Sequence, residues 1–185
     1  MGYTNRGDVM SKGSLTSLVL SRYPNEVFIE TGTFNGDAVR EALLCSFNEI
    51  HSIEIHRPFY ENCVVMFKNE PRVKLHLGDS SDCLWDVIKD IDVPITFWLD
   101  GHIEVGVPHG KKPIPVLDEL NAIGRHHIKM HTILVDDRRV MGTDVWFGLS
   151  EEQVIEGIIK INKNYQMSYE NSCNAPNDIL VARMC

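Results

Sequence analysis

Acidic residues follow every strand that the hydrophobic pattern predicts in the first two-thirds of the chain. They are Glu30, Glu54, Asp79, Asp100 and the pair Asp136–Asp137. In an open parallel sheet, ligands bind beyond the carboxyl ends of the strands. We therefore expect these carboxylates to gather at one edge of the sheet. The chain has a net charge of −8, so acidic loops are common in it, but chance less easily places an acid after all of these strands.

The first predicted strand leads into a glycine turn. Residues 27–29 are a run of strand formers, Gly32 and Gly36 mark the turn, and a helical pattern begins at Asp37. Glycine allows close approach of the backbone to a ligand, and the amides of a helix N-terminus point at its charge. The spacing differs from the G-x-G-x-x-G of dinucleotide sites, and the carboxylate of Glu30 suits a ligand with a cationic amine. An ordinary strand-to-helix turn is the plainer alternative.

This turn, Glu30-x-Gly32-x-x-x-Gly36, resembles the first motif of the class I S-adenosylmethionine (SAM)-dependent methyltransferases, E/D-x-G-x-x-x-G. Glu54 lies 18 residues after Gly36, a spacing that suits a carboxylate accepting hydrogen bonds from ribose hydroxyls. Gly78-Asp79-Ser80 is similar to the third motif of the family, near the adenine amine, although Asp79 is equally a candidate helix cap. The resemblance implies a cofactor site made of Glu30, Gly32, Thr33, Phe34, Gly36, Glu54, Asp79, Ser80 and Asp100.

A second group of acids, Asp100, Asp136 and Asp137, follows the fourth and fifth predicted strands. These strands are neighbours in the proposed fold, and converging carboxylates repel one another unless a cation joins them. A hard divalent ion is the natural partner, Mg²⁺ first, with Mn²⁺ or Ca²⁺ as alternatives. The pattern resembles the metal-dependent O-methyltransferases of the catechol and macrocin type, which implies a metal held by these three residues. Alternatively, the Asp pair caps the next loop with Arg138 and Arg139 as ion-pair partners.

His102 is the candidate general base, because it lies beside a predicted metal ligand and histidine titrates near neutral pH. With Asp100 it forms the predicted catalytic pair. It could instead be a further metal ligand or a loop histidine that bonds the backbone. The chain departs from the resembling family at His102 and in the loop 103–113, so the methyl acceptor is left open.

Other residues have less specific signals. Trp146 and Phe147 follow the fifth strand in a glycine-containing loop and are candidates for the acceptor pocket or for the interface of a homodimer. Three histidines flank a predicted helix end, where a partial negative charge favours imidazolium, and we interpret them as structural. They are His126, His127 and His131.

Strands and helices alternate through most of the chain, and two final strands over 165–170 and 178–182 have no helix between them. Alternation predicts a parallel sheet with helices on both faces. We therefore predict an α/β fold, a doubly wound, mostly parallel seven-stranded sheet with a C-terminal strand pair. The 185 residues suit one domain, 1–185, whose residues 1–12 are expected to be flexible. A short helix is predicted over 14–20.

Composition narrows the class of protein. The sequence is 43% apolar and 24% charged, without a basic run, a signal segment or a stretch of membrane-spanning length, so we expect a cytoplasmic protein that binds neither nucleic acid nor membrane. The five cysteines form no C-x-x-C pair. The expected function is methyl transfer from SAM, assisted by a metal, to an oxygen of a small hydroxylated molecule. The alternatives are a metal-independent methyltransferase of the same fold, a non-catalytic SAM-binding protein and, disfavoured by the glycine spacing, a nicotinamide-dependent oxidoreductase.

Overall fold

The computed structural model describes residues 14–102 and 110–184. The predicted flexibility of residues 1–12 and most of the loop 103–113 lie outside the described residues. No helix within the described ranges is long and apolar enough to cross a membrane.

Seven strands form one sheet in the order β3-β2-β1-β4-β5-β7-β6. They are β1 (Val27–Thr31), β2 (Glu49–Glu54), β3 (Val73–Leu77), β4 (Ile95–Leu99), β5 (Thr132–Val135), β6 (Gln166–Glu170) and β7 (Ile179–Arg183). The first five are parallel, and β7 is antiparallel to both of its neighbours, β5 and β6. This confirms the predicted mostly parallel seven-stranded sheet with its C-terminal strand pair.

In the described part of the chain, six α-helices cover the two faces of this sheet. They are α1 (Ser17–Leu20), α2 (Asp37–Leu43), α3 (Arg57–Met66), α4 (Ser80–Ile88), α5 (Val116–Arg125) and α6 (Glu151–Ile161). Side chains alternate along a strand, so Val27 and Ile29 pack with the core of α4, α5 and α6, while Phe28 packs with that of α1, α2 and α3. Both faces are buried, which is why the parallel strands are nearly continuous apolar runs.

Hydrogen-bonding side chains set several helix starts. Ser150 and Gln153 form a capping box at the start of α6. The prediction for α1 was too long at its N-terminus: Thr16 is the cap and accepts from the backbone N–H of Val19, so the helix begins at Ser17. Ser14 is thereby left outside the helix.

The histidines near the end of α5 are structural, as predicted, but the expected positive charge is wrong for two of them. His131 and His126 are fully buried; burial lowers the pKa of both, that of His131 to about 3. Each is neutral and donates one ring N–H: His131 to His126, and His126 to the carbonyl of Ile88. Burial outweighs the attraction of the helix end for imidazolium.

The chain crosses the sheet in two directions. From β1 it runs outward through β2 to β3, and it then returns to the other side of β1 to form β4 and β5. The carboxyl ends of β1 and β4 therefore border a crevice where the strand order reverses. In open α/β sheets this reversal point is where ligands bind.

Candidate functional site

A cleft of ≈ 280 Å³ opens at this reversal point. Every residue predicted for the cofactor, the metal or catalysis lines it except Gly36. Five strand ends converge there, as expected from the register of the parallel strands. The acids predicted to bind the cofactor, Glu30, Glu54 and Asp79, come from the β1–β2–β3 half of the sheet, and the remaining acids come from β4 and β5.

The two predicted glycines serve the fold directly. Gly32 has φ +85°, and a Cβ there would lie 2.5 Å from the carbonyl oxygen of Asp100, so the β1 and β4 loops touch at this point. Gly36 has φ +75° and precedes α2, and a Cβ there would lie 2.7 Å from the ring of Phe67. Positive φ favours glycine at both. Gly36 is thus a packing position and does not border the cleft.

Glu30 lines the cleft and has one buried carboxyl oxygen without a hydrogen-bond partner. The residue is 2% exposed, and its Oε2 has no hydrogen-bond partner. Burial raises its pKa well above the usual range, and the negative charges of Asp100 and Glu54 add to this, against a hydrogen bond from Ser52. A cationic amine placed here would supply both the missing hydrogen bond and the missing charge.

Glu54 holds the glycine turn against the end of β2. Its Oε2 accepts from the N–H of Phe34 at 2.8 Å, and its Oε1 accepts from the N–H of His56 at 2.6 Å. Phe34 has φ +47°, a conformation that these contacts stabilise. Each carboxylate oxygen has a second lone pair, so Glu54 can still accept from ligand hydroxyls.

Asp79 both caps α4 and lines the cleft. Its Oδ1 accepts from the N–H of Ser81 at 3.0 Å, and its Oδ2 accepts from the N–H of Lys111 at 2.9 Å. Burial raises the pKa of Asp79, but the hydrogen bonds from Ser81 and Lys111 outweigh it and leave the pKa below its usual range. The two interpretations of this residue are therefore compatible. The neighbouring Ser80 donates at 2.6 Å to Glu119.

Asp100, His102, Asp136 and Asp137 meet on the opposite side of the cleft. His102 Nε2 lies 2.9 Å from Asp100 Oδ1 and 2.8 Å from Asp137 Oδ2. Neither contact has hydrogen-bond geometry, so both are ion pairs. Asp136 accepts from the hydroxyl of Ser14 through Oδ2, and its Oδ1 is buried without a partner. Potential ligand atoms of Asp100, His102 and Asp136 all lie within 4.8 Å of one another.

Burial and neighbouring charges shift the pKa values of this cluster. Burial raises the pKa of Asp136 to about 8, and the carboxylate of Asp100 adds to the rise. Burial lowers the pKa of His102, but the ion pairs with Asp100 and Asp137 outweigh it and raise that pKa to about 11. Without a bound cation His102 is therefore an imidazolium. Its predicted role as a general base requires that this proton be displaced.

Asp178, directly before β7, was not predicted as a site residue. It is fully buried and accepts from the N–H and the guanidinium of Arg139. The same guanidinium lies 2.6 Å from Asp137 Oδ1, so the alternative of an Asp137–Arg139 ion pair is correct. Arg138 instead pairs with Glu151 at 2.9 Å. No local pattern marks Asp178 as a partner of residues 39 positions earlier.

Glu119 of α5 is a buried acid beneath the cleft. It is 1% exposed and hydrogen-bonds the hydroxyls of Ser80 and Thr31. Thr31 Oγ1 also accepts from the N–H of Asp100 at 3.2 Å. This network joins the ends of β1, β3 and β4. In the sequence, Glu119 can be recognised as an acid within the apolar stripe of a helix.

Trp146 is 2% exposed in the core of α4, α5 and α6 and does not line the cleft, although its ring centroid lies 6.5 Å from that of His102. Its place in the acceptor pocket or at a homodimer interface stays a prediction. Its large apolar ring is buried under the loop that follows β5. Phe147, with φ +50°, is 65% exposed and points away from this core.

Strand order and the antiparallel β7 together define a seven-stranded Rossmann-like α/β fold. No protein-family model matches the chain, and no curated protein matches its sequence. Solved structures match its fold.

The O-methyltransferase TomG from Streptomyces achromogenes, in complex with SAM, is 15% identical with a TM-score of 0.60, covering 91% of this chain and 77% of its own. Aeropyrum pernix fibrillarin, with natively bound SAM, is 9% identical with a TM-score of 0.60, and the match covers 90% of this chain and 71% of the fibrillarin chain. Spermidine synthase from Thermotoga maritima is 12% identical with a TM-score of 0.58, and the match covers 91% of this chain and 55% of the synthase chain. At such identities the match establishes the fold, and the activity has to be argued from the site.

Proposed function

We propose that this protein is a SAM-dependent methyltransferase of the cytoplasm that methylates an oxygen of a small hydroxylated molecule with the help of a divalent cation. One observation carries the proposal. One cleft has a buried carboxyl with an unpartnered oxygen, Glu30 Oε2, on its β1 side and a cluster of acids around Asp136 on its β5 side. The first suits a ligand with a cationic amine, and the second suits a cation bound by oxygen.

The β1 side of the cleft would bind the cofactor. Glu30 would pair with the ammonium group of SAM, and Glu54 would accept from the ribose hydroxyls. Asp79 and Ser80 would border the adenine, while Gly32, Thr33 and Phe34 let the backbone approach. When bound, SAM supplies a methyl group on a positively charged sulfur.

The acceptor half is assigned to the acid cluster. Asp100, Asp136 and Asp137 would hold the cation, which would lower the pKa of an acceptor hydroxyl and fix its direction. The orphan Oδ1 of Asp136 fits this role, because a buried carboxylate oxygen requires a cation or donor. Orientation of the acceptor oxygen toward the methyl carbon supplies much of the rate. A sugar diol, a catechol and a small hydroxy acid all fit this chemistry.

A metal-independent methyltransferase of the same fold is the second candidate. The position of His102 favours it, since an imidazolium between Asp100 and Asp137 already compensates two of the acids. In that case His102 would hold the acceptor directly. A SAM-binding protein without catalysis would have the same cofactor half.

Calorimetry with SAM, S-adenosylhomocysteine and NAD, followed by turnover assays with and without EDTA, tests the proposal. We expect micromolar binding of the first two and none of NAD. Turnover of a diol or catechol that EDTA abolishes supports the metal-assisted enzyme. Turnover indifferent to EDTA supports the metal-independent candidate, and binding without turnover on any acceptor supports the binding protein. Preferential binding of NAD would refute the assignment.

A further inference from the structure

The acid cluster includes a nitrogen donor. Ring nitrogen and carboxylate oxygens of His102, Asp100 and Asp136 lie within 4.8 Å of one another. Ligands at about 2.1 Å from one ion are about 3–4 Å apart, so a small inward movement completes a shared site. The set is one imidazole with at least two carboxylates.

His102 is already directed at the centre of the cluster. Its Nε2 is buried, lies 2.9 Å from an oxygen of Asp100 and 2.8 Å from one of Asp137, and makes no hydrogen bond. Asp136 provides a second and independent sign of a ligand. It is 2% exposed and its Oδ1 has no partner. Two buried polar atoms without a hydrogen bond, His102 Nε2 and Asp136 Oδ1, thus lie in the same cluster, and only the first has ion-pair partners.

The other acid group of this region is not equally available. Oxygens of Asp136, Asp137 and Asp178 also lie within 4.8 Å of one another. However, the guanidinium of Arg139 bridges Asp137 and Asp178. A metal ion there would have to displace an arginine from a fully buried carboxylate, which is unfavourable. An ion would therefore bind closer to His102 than to Asp178.

Donor type decides which ion such a site takes. Mg²⁺ prefers carboxylates and water, whereas imidazole is a good ligand for first-row transition ions, and Mn²⁺ accepts both kinds of donor. We propose that His102 Nε2 is a metal ligand together with Asp100 and Asp136, and that the site selects Mn²⁺ or a similar transition ion over Mg²⁺. This inference rests on the proposed metal dependence and replaces the Mg²⁺ predicted from the sequence. On binding, the ion takes the place of the proton on Nε2, which leaves to solvent.

Binding of Mn²⁺ and Mg²⁺ to the metal-free, full-length protein tests the inference without an activity assay. Calorimetry gives both affinities, and pulsed electron paramagnetic resonance of bound Mn²⁺ detects coupling to an imidazole nitrogen. We expect Mn²⁺ to bind at least about tenfold more tightly than Mg²⁺, with nitrogen coupling that changes when histidine is ¹⁵N-labelled. This measurement requires no variant.

Three variants sharpen the assignment. His102→Gln should lower Mn²⁺ affinity by about tenfold or more and remove the nitrogen coupling, whereas Mg²⁺ affinity should change less. Asp136→Asn should weaken both ions. His127→Gln is the matched control, because this half-exposed histidine pairs with Asp92 far from the cleft, and it should change neither ion. SAM affinity and thermal melting verify that each variant is folded.

The outcomes separate the inference from the proposed function. Bound Mn²⁺ without nitrogen coupling, coupling that survives in His102→Gln, or Mg²⁺ binding as tight as Mn²⁺ would overturn the nitrogen ligand and leave a metal-assisted methyltransferase in place. If neither ion binds while SAM does, the metal dependence fails, and the inference fails with it.

Discussion

Replacement of Glu119 by glutamine should remove a pH-dependent loss of stability. Burial raises the pKa of Glu119 to about 7 from 4.5; the negative charges of Asp79 and Asp100 add to this, and hydrogen bonds from Ser80 and Thr31 oppose it. The carboxyl is 1% exposed, so solvent screens little of this shift. A glutamine side chain at this position would stay neutral at every pH, and its amide oxygen could still accept from the two hydroxyls.

The direction and the size of this pH effect on the free energy of unfolding follow from proton linkage. As pH rises, the unfolded chain releases the Glu119 proton near pH 4.5 and the folded protein only near pH 7. Between these values the folded state binds more protons, so the free energy of unfolding falls with rising pH and is constant above the window. At about 1.4 kcal/mol per pKa unit, the loss is about 3 kcal/mol, or about 6–12 °C in melting temperature for a chain of this size.

Urea denaturation at pH 5 and pH 8 measures this difference. At each pH, the free energy of unfolding of wild type is subtracted from that of Glu119→Gln. This difference should be about 2–3 kcal/mol larger at pH 8 than at pH 5. Subtraction cancels the titration of all other groups. Asp118→Asn, on the same helix turn but partly exposed and paired with Lys112, is the control and should show no such gain. Equal pH dependence of wild type and Glu119→Gln would refute the assignment of a raised pKa to this carboxyl.

Three further predictions concern the cleft and the histidines. Gly32→Ala should lower the melting temperature by several degrees even without ligand, because its Cβ would meet the carbonyl of Asp100; an unchanged melt would contradict the close approach. Glu54→Gln should weaken SAM binding in calorimetry by about 1–3 kcal/mol, the scale for a hydrogen bond to a charged group. Burial lowers the pKa of His76 to about 4 and that of His131 to about 3, from 6.5. As pH is lowered, the unfolded chain therefore binds these protons before the folded protein does. Urea denaturation should show a free energy of unfolding that decreases as pH is lowered from about 6.5 to 4, and His76→Gln should reduce that decrease.

Local sequence patterns were sufficient for the elements themselves. Buried β1 is a run of β-branched and aromatic residues, and the capping box of α6 is encoded by Ser150 and Gln153 within four positions. The acids at the strand ends also follow from local order, because parallel strands place their carboxyl ends at one edge. These predictions succeeded since each depends on residues that are close in the chain.

Pairing within the site depends on contacts between distant residues. Asp136 is bonded by Ser14, 122 positions earlier, and Asp178 captures the Arg139 guanidinium that Asp137 shares. Glu119 could have been found, since it lies between Val116 and Leu120 on the apolar stripe of α5. Asp178 could not, because nothing local distinguishes it from a loop acid.

The sequence by itself therefore determined the order and type of the elements, the sheet class and the set of acids that face the cleft, because hydrophobic periodicity and strand polarity are local properties. Only the tertiary structure decided which acids are paired and which are left without a partner. Burial and neighbouring charge set the protonation of Glu30, Asp136 and His102, and both quantities exist only after distant segments have packed together. The Arg139 bridge and the inward position of His102 are of this kind, and they determine what the cleft can bind.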